Sequence, residues 1–471
     1  MSWQLALTMA EIVWVVCASS WIVLEKRSPT ATLAWVFGLA LLPIIGVFAY
    51  LYLGPRRLER KRNRRLAAIA GVTEDCSVYF ARAPDPERRR VAQLMRLGAY
   101  RGGMPASSAR AVDIYTSGAE TFAAIAQAIA GATHHVHCEY YIFEPDATGT
   151  RFRDALIERA RAGVQVRLLV DALGSPRVRG AFLAPLLAAG AKFARFNRPG
   201  LGALLGRRWL NFRTHRKIVV VDGRIGFCGG INVHDDENLD VNGADAWRDT
   251  HIRIEGDAVR GLQRTFLEDW AFAAGKLPVA PDLFPPDESG PYAVQIVASG
   301  PDADALSIAR VYFAAIACAR ERVWLTTPYF VPDDALLAAL TTASGRGVDV
   351  HLLLSAKTDS RLVDAAGRSY YDGLLGAGVK IHAYGPPMVH AKTLVIDEEI
   401  AMVGTANFDS RSLRLNFEVM AVVYDAKVAA RLAEIFRADV ARAHEVRIRD
   451  VKGALPARLL EATARLLAPQ L

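Results

Sequence analysis

One pattern constrains this chain more than any other, and it occurs twice. His-x-Lys-x4-Asp is followed in each copy by x6-Gly-x2-Asn. The first copy is His215, Lys217 and Asp222, then Gly229 and Asn232; the second is His390, Lys392 and Asp397, then Gly404 and Asn407. With 10 His, 10 Lys and 49 acidic residues in 471, chance supplies about 0.02 matches to the first part of the pattern alone. A chain carrying two must bring two equivalent segments into equivalent folds.

The flanking sequence repeats as well. Ala119 to Ala132 reads as a helix leading into a strand at His137 to Phe143; Phe152 to Ala162 is a second helix before the strand Val164 to Val170. In the other copy Ala305 to Ala319, Val323 to Phe330, Ala335 to Ala343 and Val348 to Leu354 follow in the same order. Strands alternating with helices predict an α/β fold: a duplicated unit of two mixed, mostly parallel sheets flanked by helices and related by a pseudo-twofold. The expected halves are 111–275 and 302–471, the second ending in a C-terminal helix, with a proline-rich linker at 276–301.

The spacing makes chemical sense. "IVVVDG" and "TLVID" read as strands, in which side chains two apart share a face, so His and Lys project together. Glycine after the next strand permits close backbone approach, and Asn232 and Asn407 supply neutral donors. Two such sets facing one another give two imidazoles, two ammoniums and two amides, a composition suited to a phosphate diester. Lysine and asparagine can neutralise its oxygens, one histidine can attack phosphorus, and the other can protonate the leaving alcohol. A carboxylate should hold each imidazole, and Asp249 and Glu418 are the candidates. No metal or other cofactor is required. His234-Asp235-Asp236-Glu237 lacks a metal-binding spacing and reads as a polar loop. His134, His135 and His137 read as a solvated loop or strand edge. Five cysteines without a CxxC pair argue against a disulfide framework or a structural zinc site.

The N-terminal end is of another kind. Residues 31–53 carry no charge and would span about 34 Å as a helix, enough to cross a bilayer. Residues 3–24 form a second candidate, interrupted by Glu11, which reads as lying near a helix end or against its partner. The two are expected to form a transmembrane hairpin within 1–55, followed by a basic collar and connector at 56–110. Of the net charge of +8, the ten residues Arg56–Arg65 hold +6, so the rest is close to neutral. That excludes a generally basic nucleic-acid binder. The collar also sets topology: by the positive-inside rule everything after it is cytoplasmic, and it can attract anionic headgroups. Leu201 to Phe212, which includes Leu204, Leu205, Arg207, Arg208 and Trp209, reads as an interfacial element or a packed helix. Core packing is expected of Leu459, Leu460, Leu466 and Leu467.

The paired motif resembles that of the phospholipase D superfamily. The N-terminal "RSPTATLAWVFGLALLPIIGVFAYLYLG", with "EYYIF", "WRDTHIRIEG", "TPYFVP", "NFEV" and the closing "ARLLEATARLLAPQL", is similar to the membrane-anchored bacterial cardiolipin synthases over essentially the whole chain. The resemblance implies phosphatidyl transfer between two phosphatidylglycerols, giving cardiolipin and glycerol through a phosphohistidine intermediate. It implies His215 as nucleophile and His390 as general acid/base, with the exchanged roles left open by the pseudo-symmetry, and a more structural part for Asp222 and Asp397; Lys217 and Lys392 remain the phosphate ligands that the spacing suggests. It further implies an anionic membrane lipid as partner and a two-pass protein of the bacterial inner membrane. The alternatives are a hydrolase or a transferase using another alcohol, a nucleic-acid diesterase, and a membrane scaffold. One departure from the family pattern is the acid-rich "HDDENLDVNG" after Asn232.

Overall fold

A computed structural model describes residues 3–24, 29–42, 56–77, 89–100, 103–197, 213–275, 281–286, 289–301, 307–451 and 455–468. The chain divides into two compact units, residues 1–64 with 199–210, and residues 65–198 with 211–471. In the first unit α1 (Trp3–Leu24) and α2 (Pro29–Leu41) are apolar helices that pack on one another. The rest of the expected second span, residues 43–53, lies outside the described residues, as does Leu201 to Phe212. Among the described residues no helix is long and apolar enough to cross a membrane. The collar opens a helix, α3 (Arg56–Ser77).

The second unit opens with α4 (Arg89–Gly98) and β1 (Ser107–Ala109). Its first half then runs through β2 (Ala111–Tyr115), α5 (Gly118–Ala130), β3 (His135–Tyr140), α6 (Ala147–Arg161), β4 (Gln165–Asp171) and β5 (Lys192–Phe196). It ends with β6 (Ile218–Val221), β7 (Ile225–Gly229), β8 (His251–Glu255) and α7 (Val259–Ala274). The strands form one sheet in the order β2-β8-β7-β6-β3-β4-β5.

The second half runs β9 (Tyr292–Ser299), α8 (Ser307–Cys318), β10 (Arg322–Thr327), α9 (Asp334–Gly345), β11 (Asp349–Ser355), α10 (Arg361–Arg368) and β12 (Lys380–Tyr384). There follow β13 (Thr393–Ile396), β14 (Ile400–Gly404), β15 (Glu418–Tyr424), α11 (Ala426–Val440), β16 (Ala443–Val446) and α12 (Leu455–Arg465). Its sheet has the order β1-β9-β15-β14-β13-β10-β11-β12-β16. The helices start where the sequence supplies caps. Ser117, Asp146, Asp333 and Asp425 each accept a backbone N–H in the first turn of the helix that follows.

Two expectations are corrected here. The sheets are mixed but not mostly parallel. Within them, only β3–β4–β5 and β10–β11–β12 run parallel, and the other ladders are antiparallel. The reason is connection length. Helical crossovers join the parallel strands, whereas β6–β7 and β13–β14, which follow the His and Lys of each motif, are joined by tight turns that force reversal. Nor is 276–301 purely a linker. "YAVQIVAS" is strand β9, paired with both β1 and β15.

The two sheets face one another. Ile218, Val220, Cys228 and Ile252 of the first share a core with Val395, Ala401, Val403, Val419 and Ala421 of the second. Alternation along each strand sends the other residues outward: Val136, Cys138 and Tyr140 join the core with α5 and α6, and Val323 and Leu325 the core with α8 and α9. The duplication therefore closes on itself as a sandwich of halves.

Candidate active site

The residue before each motif histidine makes an inter-half bridge. His215 N–H donates to the carbonyl of Phe417 at 2.9 Å and Phe417 N–H to Arg213 at 2.9 Å, while His390 N–H donates to Arg248 at 2.7 Å and Arg248 N–H to Met388 at 2.9 Å. Each motif thus begins on a strap of backbone tied to the other half. The consequence appears at the rings. His215 Nδ1 faces Glu418 at 3.0 Å, and His390 Nδ1 faces Asp249 at 2.7 Å. Both expected carboxylates orient an imidazole, and each orients the histidine of the opposite half. With Nδ1–H donated to a carboxylate, Nε2 of each ring keeps its lone pair for chemistry.

All of these groups are buried. Lys217 Nζ donates to the His215 carbonyl at 2.8 Å, and Lys392 Nζ to the His390 carbonyl. The electrostatics cross the halves as the hydrogen bonds do. Burial first, then the Lys392 ammonium, pull Lys217 down to about 7. Burial lowers His215 to about 4 despite Glu418, so it is neutral near neutral pH. His390 is lowered too, by burial and by Lys392, against the pull of Asp249 and Glu237. Burial alone would raise Asp249, but Lys392 and the bond from His390 outweigh it and hold the carboxyl at about 2. Glu418 is likewise held below its ordinary range, by His215 and Lys217.

The motif aspartates lie elsewhere. Asp222 and Asp397 sit at the far ends of β6 and β13, five residues beyond each lysine, or about 17 Å along an extended strand. Both have positive φ, 52° and 51°, in the tight turn to the next strand. Asp222 accepts from the N–H groups of Thr133, His134 and His135 at 2.8, 2.9 and 2.8 Å. Asp397 accepts from those of Arg320, Glu321 and Arg322 at 3.1, 2.8 and 3.1 Å, and pairs with Arg90. They pin the starts of β3 and β10. Their geometry is structural: each holds the start of a strand by its backbone N–H groups and, among the described residues, makes no hydrogen bond to a motif histidine.

Asn232 and Asn407 are buried after their glycines. Asn232 accepts from Ile142 N–H at 3.3 Å and donates to Glu237 at 2.8 Å; among the described residues the Asn407 side-chain oxygen has no hydrogen-bond partner. The close approach made by the glycines is internal. A Cβ on Gly230 would collide with the Asp249 carboxylate, and one on Gly404 with the Val419 carbonyl. At the position of Gly230 the second half has Thr405, whose hydroxyl donates to Glu418 at 2.5 Å.

Glu237 was expected in a polar loop and is instead buried beside His390. Its Oε1 accepts from Asn232 and from His234 Nε2 at 3.2 Å, and lies 3.8 Å from His390 Nδ1. The ring of Trp247 stands 5.5 Å from that of His234 and 5.3 Å from that of His390. Counting from the asparagines puts Ser412 opposite Glu237, so the two copies differ there, and that difference was the available signal. Glu237, Asp249 and His390 could be read as a metal cluster, since their ligand atoms lie within 4.8 Å of one another. In the structure these groups bond one another: His390 Nδ1 lies at hydrogen-bond distance from Asp249, 2.7 Å, and at ion-pair distance from Glu237, 3.8 Å. Tyr141 was also missed; its ring lies 5.0 Å from that of His215 and 5.4 Å from Lys217 Nζ.

His135 and His137 are corrected as well. They lie buried on β3, facing α7, where Gln263 bonds both rings and Phe266 stacks on His137.

Comparison with known proteins follows this geometry. The family description "Cardiolipin synthase, PLD-like domain" matches residues 125–270 and 312–440, and "Phospholipase D-nuclease N-terminal" matches 12–55. The chain is 38% identical to cardiolipin synthase 1 of Bacillus anthracis, over 98% of this chain and 94% of that one. It is 39% identical to the cardiolipin synthase of Geobacillus kaustophilus, over 95% and 90%. Among solved structures, the phosphatidylserine synthase of Haemophilus influenzae matches with a TM-score of 0.61 at 13% identity, covering 80% of this chain and 100% of that one. That last likeness is one of fold.

Proposed function

The chain belongs to the cardiolipin synthases of the phospholipase D superfamily, and from that premise we propose that it joins two phosphatidylglycerols into cardiolipin and glycerol at the site built from His215 and His390. The observation that supports this reading is the crossed pairing, His215 with Glu418 and His390 with Asp249, in which each imidazole is oriented by a carboxylate of the opposite half.

In the proposed reaction Nε2 of neutral His215 attacks the phosphorus of the first lipid. The bond from phosphorus to the glycerol oxygen breaks, and His390 delivers a proton to that oxygen. Glycerol leaves and the phosphatidyl group is held on His215. A glycerol hydroxyl of a second phosphatidylglycerol then gives its proton to His390 and attacks phosphorus, releasing His215 and forming cardiolipin. Lys217 and Lys392 neutralise the phosphate oxygens as charge builds in the transition state. This order of roles is supported by the charge behind each ring. His390 has Asp249 and Glu237 behind it and is the better placed to carry the proton, while among the described residues His215 has Glu418 alone. The anionic phosphate adds negative charge to the site and favours protonation of His390 once substrate is bound.

We also place residues 3–24 and 31–53 in the bacterial inner membrane, as a two-pass anchor with the catalytic unit cytoplasmic. The uncharged run, the collar and the match at 12–55 support this. Confinement to the bilayer would raise the effective concentration of both lipids. The test is incubation of purified protein with phosphatidylglycerol and identification of the products. Cardiolipin with glycerol is expected; phosphatidic acid would mean that water is the acceptor, and no turnover would leave a scaffold.

A further inference from the structure

An amphipathic helix of a folded domain ordinarily turns its apolar stripe inward. Helix α12 (Leu455–Arg465) does the reverse. Its inward side is made of small and charged residues: Ala464 is buried in the core, Glu461 accepts from Arg368 Nε at 3.1 Å, and the Arg465 guanidinium lies 4.6 Å from the Tyr370 ring. Its leucines point away. Leu455, Leu459 and Leu460 are 68%, 58% and 60% exposed, and just beyond the helix Leu466 and Leu467 are 78% and 47% exposed. At 100° per residue Leu455, Leu459, Thr463 and Leu460 fall on one continuous arc without a charge. This overturns the expectation of core packing for Leu459, Leu460, Leu466 and Leu467.

The charge around this face identifies what covers it. Residues 441–471 carry a net +3. With +6 in the collar, the remaining residues sum to −1, so the C-terminal segment is basic within a chain whose bulk is close to neutral. Arg458 on α12 is exposed, as are Arg447, Ile448 and Arg449 in the segment that leads to it. Leucine on one arc with arginine at its border is the composition of a helix lying in a lipid interface, apolar side among acyl chains and guanidiniums among phosphates.

We propose that the outward face of α12, with Leu466 and Leu467, docks on an anionic lipid bilayer. The phosphatidyl-transfer reading enters only in the choice of lipid. Docking here would be independent of the N-terminal helices and would hold the catalytic unit at the surface from which its substrates come.

The test uses the full chain in vesicles. Cys17 and Cys318 are exposed and Cys76, Cys138 and Cys228 buried, so a Cys17→Ser, Cys318→Ser background accepts a fluorophore at Leu459→Cys. In vesicles with 30% phosphatidylglycerol, quenching by doxyl groups on the lipid chains should exceed quenching by aqueous iodide several-fold, and less so in pure phosphatidylcholine. In the triple variant Leu455→Ser, Leu459→Ser, Leu460→Ser, the ratio of vesicle to mixed-micelle activity should fall roughly tenfold. Iodide quenching as strong in vesicles as in detergent would overturn the proposal. So would an equal fall in both activities, which a merely unstable variant would show, or a label already shielded in detergent by self-association, which would make the partner a second copy of the chain. Absence of cardiolipin in every assay would strike the functional reading while leaving the quenching result to stand.

Discussion

Lys217 and Lys392 are both buried, and the Lys392 ammonium lowers both Lys217 and its neighbour His215. With Lys217 at about 7, its ammonium is present below that pH and lost above it. The free enzyme should therefore lose kcat/KM as pH rises through about 7. A bound phosphodiester brings a negative charge that favours the ammonium, so kcat should hold to higher pH. Lys217→Arg, charged throughout, should lose the Lys217 contribution to that limb and keep only the one set by deprotonation of His390. Initial rates of cardiolipin formation in mixed micelles measure all three, and coincident limbs for kcat and kcat/KM would contradict the assignment. Glu237 gives a second residue-scale expectation. Glu237→Gln removes a negative charge beside His390, so protonated His390 becomes less favourable. kcat should fall about tenfold to a hundredfold, with its alkaline limb moved to lower pH. The sequence displayed the His and Lys pairs because type and spacing are local. It did not display which carboxylate serves which ring, since partners stand 203 and 141 residues apart. Nor did it display Glu237, since the three consecutive acids Asp235, Asp236 and Glu237 look alike until the backbone turns the last of them inward.

At the scale of elements, the hairpin turns after β6 and β13 do what the motif aspartates are for. Asp222→Ala leaves three N–H groups at the start of β3 without their acceptor, and Asp397→Ala does the same at β10. Each should cost about 2–4 kcal/mol of stability, read as a lower unfolding midpoint, while kcat per folded molecule stays within about threefold. A hundredfold loss of kcat in a fully folded Asp222→Ala would return that residue to the chemistry. The alternation of helices and strands was legible as far as the helical crossovers, which are the parallel part of each sheet. The antiparallel remainder was not, because a strand such as β9 stands among prolines in the sequence and finds its partners β1 and β15 far away along the chain. The collar shows the same limit. Its last residue, Arg65, is buried against Asp269 at 2.6 Å and lies over the Phe417 ring at 4.4 Å. Charge counting could not separate that arginine from its neighbours.

At the scale of the molecule, each half is chemically unfinished by itself. The first holds His215 without Glu418, and Asp249 without His390; the second holds the complements. The halves also share one core, from Ile218 and Cys228 across to Val403 and Ala421, so separating them would expose it. Noncovalent contact, and not the connecting peptide, should therefore be what keeps the site together. A protease site placed within residues 276–280 tests this. After cleavage under native conditions the two fragments should co-purify and retain cardiolipin synthesis within about twofold. Fragments parted in denaturant should be inactive singly, and remixing before refolding should restore turnover. Orientation by the opposite half also predicts how the acids behave. Glu418→Gln should impair the protein as an injury to His215 does, and Asp249→Asn as an injury to His390 does, each by about 10²–10⁴ in kcat, the range expected when a histidine loses its orienting carboxylate. If His215→Ala in one fragment were tolerated, or if the cleaved pair fell apart without loss of activity, the two rings would not be working on one phosphorus.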